Sequence, residues 1–182
     1  MSDLRERKLQ RYFEAIDNDG DGVLTRDDFT AVAQRYVQAL ALAAGSAQER
    51  TTAAATVKIW DDLIAPMDAD GSGQVTFAEF GAAFGQLLLI EREAYAASIR
   101  PSADAYFDLC DTDGSGEVTQ AEYVRLMGAA CGIPAEEAAA TYRSLVPAGH
   151  AGMTRDSWHQ MLLEFFYDQE PDAPANHLFG RI

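Results

Sequence analysis

The sequence predicts an all-α protein made of four helix–loop–helix units, arranged as two pairs in one compact globule with short β bridges between paired loops. Three observations lead there. Three twelve-residue segments share one acidic, glycine-bearing pattern: DNDGDGVLTRDD (Asp17 to Asp28), DADGSGQVTFAE (Asp68 to Glu79) and DTDGSGEVTQAE (Asp111 to Glu122). Apolar residues at helical spacing flank each of them. No stretch alternates apolar and polar residues like a long strand.

Leu9, Tyr12, Phe13 and Ile16 form the apolar stripe of the helix entering the first loop. Phe29, Val32, Ala33, Tyr36, Val37 and Leu40 form that of the helix leaving it. The connection to the second loop is long, and Gly45 and Ser46 break it into two helices. Val57, Trp60, Ile64 and Met67 lead into the second loop; Pro66, in its last turn, has no N–H to donate and should bend that turn. Leu87 to Ile90 is an aliphatic run, read as packing between the two halves rather than as a target-binding face. Ala103, Phe107 and Cys110 lead into the third loop. Pro101 and Pro134 mark helix starts, where proline is tolerated. Pro171 and Pro174 stop the last helix and predict an extended tail; the alternative is that Leu178 and Phe179 fold back over a groove.

The apolar frame extends to a fourth unit without insertion or deletion. Four residues before the loops stand Phe13, Ile64, Phe107 and Tyr142, and immediately before them Ile16, Met67, Cys110 and Leu145. Position 8 is Leu24, Val75, Val118 and Met153, and position 9 is Thr25, Thr76, Thr119 and Thr154. Phe29, Phe80, Tyr123 and Trp158 follow the loops, so Val146 to Ser157 is loop four. Paired loops should meet through position 8. Residues 1–100 are then an N-terminal pair, 101–170 a C-terminal pair and 171–182 a tail.

The repeated pattern suits a hard cation. Calcium takes about six to eight oxygens, and a twelve-residue loop offers them from positions 1, 3, 5, 7, 9 and 12. In loop one these are Asp17, Asp19, Asp21, the carbonyl of Val23, Thr25 and Asp28. In loop two they are Asp68, Asp70, Ser72, the carbonyl of Gln74, Thr76 and Glu79. In loop three they are Asp111, Asp113, Ser115, the carbonyl of Glu117, Thr119 and Glu122. The chain must turn sharply at position 6, where Gly22, Gly73 and Gly116 stand. Loop one ends in Asp28, whose shorter side chain is harder to bring in as a bidentate ligand, so Mg²⁺ should compete best there. Loop four offers Val146, Ala148, His150, Thr154 and Ser157, with no carboxylate and with Ala151 at the turn. It should hold no ion and should serve as a packing partner for unit three.

These loops resemble those of the EF-hand family. Four hands over most of the chain, a long first connection and one silent hand resemble the sarcoplasmic calcium-binding proteins, and among them the bacterial calerythrin type; DAPANHLFG (Asp172 to Gly180) is similar to the tail of that group. The resemblance implies a compact calcium buffer. The alternative is a calcium sensor that exposes a groove and regulates a partner protein. Sensors use a methionine-rich groove. Beyond the initiator this chain has only Met67, Met127, Met153 and Met161, and its apolar frame is largely aromatic, which favours the buffer.

Composition narrows the remaining classes. The chain has 182 residues and a net charge of -15, which disfavours nucleic acid and anionic membrane partners. No apolar run is long enough to span a bilayer, the N-terminus lacks a secretory h-region, and Ser2 stands where N-myristoylation needs glycine. Cys110 and Cys131 form no CxxC or Cys/His cluster and read as buried thiols in a reducing compartment. A cytoplasmic monomer is expected. His150, His159 and His177 are too scattered for a transition-metal set and read as surface or structural residues. Trp60 and Trp158 read as core. No nucleophile motif occurs, and no enzymatic role is predicted.

Overall fold

The structure is a computed structural model that describes residues 3–87 and 92–182. Its helices, in chain order, are α1 (Asp3–Ile16), α2 (Arg26–Ala39), α3 (Ala47–Ile59), α4 (Phe77–Leu87), α5 (Arg92–Cys110), α6 (Gln120–Cys131), α7 (Ala135–Leu145) and α8 (Arg155–Tyr167). Its strands are β1 (Val23–Leu24), β2 (Val75–Thr76), β3 (Glu117–Val118) and β4 (Met153–Thr154). The all-α class holds, because each strand is only a bridge between loops. β1 pairs antiparallel with β2, Leu24 opposite Val75; β3 pairs antiparallel with β4, Val118 opposite Met153. All four position-8 side chains are buried under these bridges.

The connection between the first two loops breaks where expected. α2 ends at Ala39, and α3 starts behind Ser46, whose hydroxyl accepts from the Glu49 N–H at 3.0 Å. Before loop two the helix loosens into one π turn (Trp60–Ile64) and a short 3₁₀ turn (Ala65–Met67). Pro66 explains the change, since it cannot donate the bond that an α turn would require.

Two expectations need correction. Pro101 does not begin a helix but lies inside α5. Tyr95 before it and Ala103 and Phe107 after it are buried, and that packing outweighs one missing backbone bond. The C-terminal segment is not extended. Pro174–His177 forms a 3₁₀ turn, and Ala175, Asn176, Leu178 and Phe179 are buried. The chain reverses there because two apolar side chains gain more by burial than the short segment loses in order. Leu88, Leu89 and Ile90 of the aliphatic run lie outside the described residues, while Leu87 packs against the core.

One aromatic cluster joins α1, α4, α8 and the C-terminal segment. Phe84 of α4 stacks on Phe166 of α8 with ring centroids 5.0 Å apart. The Tyr12 ring lies 5.4 Å from Phe166 and 4.4 Å from Phe179. Such pairs add about 0.5–1.5 kcal/mol each beyond their buried area. Polar ties run beside them. Arg5 Nη2 donates to the carbonyl of Tyr167 and Lys8 Nζ to that of Asp168, both at 2.9 Å, so two cations of α1 cap the C-terminus of α8. Lys8 is buried, and burial holds its ammonium below the usual lysine range. Tyr36 of α2 donates to the carbonyl of Leu109 of α5, two residues before loop three. Cys110, between them, is also buried, and burial pushes its thiol well up.

Candidate metal centres

Each acidic loop folds through the same hydrogen bonds. The position-1 carboxylate accepts from the position-6 glycine: Gly22 N to Asp17 Oδ2 at 3.0 Å, Gly73 N to Asp68 Oδ2 at 2.8 Å, Gly116 N to Asp111 Oδ2 at 2.9 Å. These glycines have φ of +87°, +82° and +84°, a region that side chains rarely enter. The position-3 carboxylate accepts from the position-5 N–H in all three loops. Ser72 Oγ donates to the carbonyl of Gln74 at 3.2 Å and Ser115 Oγ to that of Glu117 at 2.9 Å, which places the position-5 and position-7 oxygens side by side.

Position 12 does two jobs. It is the third residue of the outgoing helix, and its carboxylate reaches back to position 9. Thr25 and Thr119 form capping boxes with Asp28 and Glu122. Thr76 N and Oγ1 make the same bonds to Glu79 Oε2, at 2.9 and 2.8 Å. The second oxygen accepts from the position-2 N–H: Asn18 to Asp28, Ala69 to Glu79, Thr112 to Glu122. The carboxylate thus closes the loop from end to end.

Acid side chains converge in all three loops. The groups Asp17, Asp19 and Asp21; Asp68, Asp70 and Glu79; and Asp111, Asp113 and Glu122 each offer ligand atoms within 4.8 Å of one another. The loop-one group does not include Asp28, which is buried and held by Asn18 and Thr25. The donors are all oxygen, mostly anionic, and suit a hard divalent cation.

Electrostatics keep several of these acids charged. The Gly73 N–H, helped by those of Ser72 and Gly71, holds the Asp68 carboxyl below its ordinary value. The Thr76 N–H and hydroxyl do the same for Glu79. Burial pushes Glu122 up, but the hydrogen bonds from Thr119 and Thr112 outweigh it and the net shift is downward.

Loop four keeps the frame and lacks this chemistry. Thr154 still caps α8, with its Oγ1 3.2 Å from Ser157 N. Ala151 does not take the positive φ of the glycines at position 6. Among the described residues no acid group converges there. Two features of this unit escaped the sequence reading. Tyr142 Oη donates to the carbonyl of Val118 at 2.9 Å. Gly152 faces β3 so closely that a Cβ on it would sit 2.9 Å from Glu117 Cβ and 3.0 Å from the Val118 carbonyl oxygen. A glycine directly before the apolar position 8 was the one available hint.

The three histidines are not brought together. His159 Nε2 lies 2.9 Å from Asp104 Oδ1, beside Arg155, which also reaches Asp104 and Asp108. His150 stands on loop four with Nδ1 3.3 Å from the carbonyl of Pro147, and His177 is in the C-terminal segment. Trp60 and Trp158 are buried, as expected.

Comparison with known proteins agrees with this geometry. Residues 6–85 match the EF-hand domain pair, and residues 103–127 match the EF hand. The chain belongs to the EF-hand superfamily. No curated protein matches it. Among solved structures, this EF-hand chain is similar to the calcium-loaded apo form of the coelenterazine-binding protein of Renilla muelleri, with 20% identity, 100% of both chains covered and a TM-score of 0.81. It is similar to a Streptomyces coelicolor calcium-binding protein described as a structural basis for prokaryotic calcium-mediated regulation, with 26% identity, 91% and 99% covered and a TM-score of 0.73. It is also similar to a sarcoplasmic calcium-binding protein from amphioxus, with 17% identity, 100% and 99% covered and a TM-score of 0.75. These likenesses place the fold among EF-hand calcium-binding proteins. No helix among the described residues is long and apolar enough to cross a membrane.

Proposed function

We propose that this protein is a cytoplasmic calcium buffer that binds three ions, one in each acidic loop, and none in loop four. The observation that carries the reading is the convergence of three carboxylates in each of these loops and in no other part of the described chain. The ligands are those read from the sequence: Asp17, Asp19, Asp21, Val23, Thr25 and Asp28; Asp68, Asp70, Ser72, Gln74, Thr76 and Glu79; Asp111, Asp113, Ser115, Glu117, Thr119 and Glu122. Loops one and two serve an N-terminal pair (1–100), and loops three and four a C-terminal pair (101–170). Loop one is the mixed Ca²⁺/Mg²⁺ site, because Asp28 is short and stands apart from the acids that converge there.

The interior favours a buffer over a sensor. A sensor must part its helices to bare a groove. Here the Tyr12, Phe84, Phe166 and Phe179 rings tie the halves together, so opening would break several aromatic contacts at once. The second reading is a sensor acting on a partner protein, and the likeness to the Streptomyces regulator supports it.

Calorimetric titration with a hydrophobic dye present tests both. Three bound ions with little added dye signal is the buffer result; strong calcium-dependent dye binding is the sensor result. Glu79→Gln and Glu122→Gln should each remove one ion, and Ser157→Ala none. Loss of an ion in the Ser157 variant would overturn the assignment of loop four.

A further inference from the structure

Residues 171–182 are seated on elements from both ends of the chain. Phe179 lies 4.4 Å, ring to ring, from Tyr12 of α1 and 4.9 Å from Phe165 of α8. The Tyr123 hydroxyl of α6 donates to the Leu178 carbonyl at 3.5 Å, and the Arg181 N–H donates to Glu137 Oε1 of α7 at 3.0 Å. The segment also closes on itself: Asn176 Nδ2 donates to the carbonyls of Glu170 and Pro171, at 2.9 and 2.8 Å.

Two of its supports stand one residue from a position-12 carboxylate. Tyr123 follows Glu122 and touches the segment directly. Phe80 follows Glu79, lies 5.7 Å from Tyr12, and so reaches Phe179 through one ring. Phe29, which follows Asp28, packs on Trp60 instead. With Leu178 and Phe179 it lines a cavity of about 30 Å³.

The seat is imperfect. That cavity is lined in part by Phe179, and so is a second of about 30 Å³, with Tyr12, Phe84, Leu162 and Phe166. Asn176 Oδ1, on the segment, and Trp158 Nε1, beside it, are buried without a hydrogen-bond partner among the described residues. Voids and unpaired polar atoms both weaken the hold on a short segment.

We propose that the C-terminal segment is a calcium-responsive clasp, seated when loops two and three hold ions and released when they are empty. The proposal rests on the calcium reading of those loops. An ion that draws in Glu79 and Glu122 fixes the first turns of α4 and α6, and with them the rings of Phe80 and Tyr123 that build the seat. Without an ion the clustered carboxylates repel one another, and the first turns are held by their capping bonds alone. Linkage makes the coupling reciprocal: the seated segment must raise calcium affinity by the factor by which calcium favours seating.

Hydrogen exchange on the intact protein tests this. The amides of Asn176, Leu178 and Gly180 donate within the segment, to Ala173, Ala175 and His177. They should exchange at least about 5-fold faster in chelator than in calcium. In calcium, Glu79→Gln and Glu122→Gln should each speed them, while Asp28→Asn should not. Phe179→Leu, and Phe179→Ala if it folds, should weaken two of the three calcium sites and leave the stoichiometry at three. Equal exchange with and without calcium overturns the clasp, as does an Asp28→Asn effect as large as that of Glu122→Gln. If three ions bind and the segment is indifferent, the clasp fails alone. If the wild type binds no calcium, both readings fail.

Discussion

The phenol of Tyr142 donates a 2.9 Å hydrogen bond to the carbonyl of Val118, and so ties the incoming helix of the fourth hand, whose ligand positions carry no acid, to position 8 of loop three. Both residues are buried. The Tyr142→Phe variant keeps the ring and leaves that carbonyl one donor short. It should cost about 1 kcal/mol, or about 2–4 °C in Tm for a chain of this size. On the calcium reading, affinity should fall severalfold at loop three alone, as measured by calorimetry against the Glu122→Gln variant.

Gly152 allows β3 to pass. Its substitution by alanine forces a Cβ into Glu117 and the Val118 carbonyl. Destabilisation of about 1–3 kcal/mol is expected, since neither neighbour is a free side-chain end. Gly149→Ala is a poor control, because φ there is +93°. Ala148→Ser, at an exposed position, is a better one and should leave Tm unchanged.

Acid should weaken the metal-free fold in a way that depends on position 12. In the folded chain Asp68, Glu79 and Glu122 lie below their ordinary carboxyl values. The folded state therefore binds fewer protons than the unfolded one as they titrate. Their contribution is fully present above the unfolded carboxyl range of about 4–4.5, and is lost as pH falls through the lower folded values. Denaturant melts in chelator should show the gap between wild type and Glu122→Gln narrowing from pH 6 to pH 3. A constant gap would mean that Glu122 keeps no such preference.

Chelation should lower Tm on the calcium reading. Ligand that binds only the folded state adds stability of about 2.7 kcal/mol per site at a hundredfold excess over Kd. The Glu79→Gln, Glu122→Gln double variant should keep only the part that belongs to loop one. An unchanged melting temperature on chelation would count against ion-dependent stability.

The acidic loops and the apolar frame were legible in the sequence because both are local. Every oxygen of a loop lies within twelve residues, and Phe13, Ile64, Phe107 and Tyr142 recur at a fixed distance before it. The β bridges followed from the same register. What stayed hidden depends on residues far apart in the chain. Pro101 reads as a helix start until the burial of Tyr95 and Phe107 on either side of it is known. Leu178 and Phe179 read as an extended tail, with a fold-back only as the alternative, because their seat is built from Tyr12 and Phe165, residues of the first and last helices. Nothing local to Lys8 signals burial, yet it is buried against the end of α8.

Cys110 gives the molecule a built-in clock. Its sulfur is sealed from solvent one residue ahead of Asp111, and burial keeps it protonated. An alkylating reagent needs the thiolate, so it can act only while the end of α5 is open. The rate of its modification then follows how often and how long that end opens, in a chain that carries no added label.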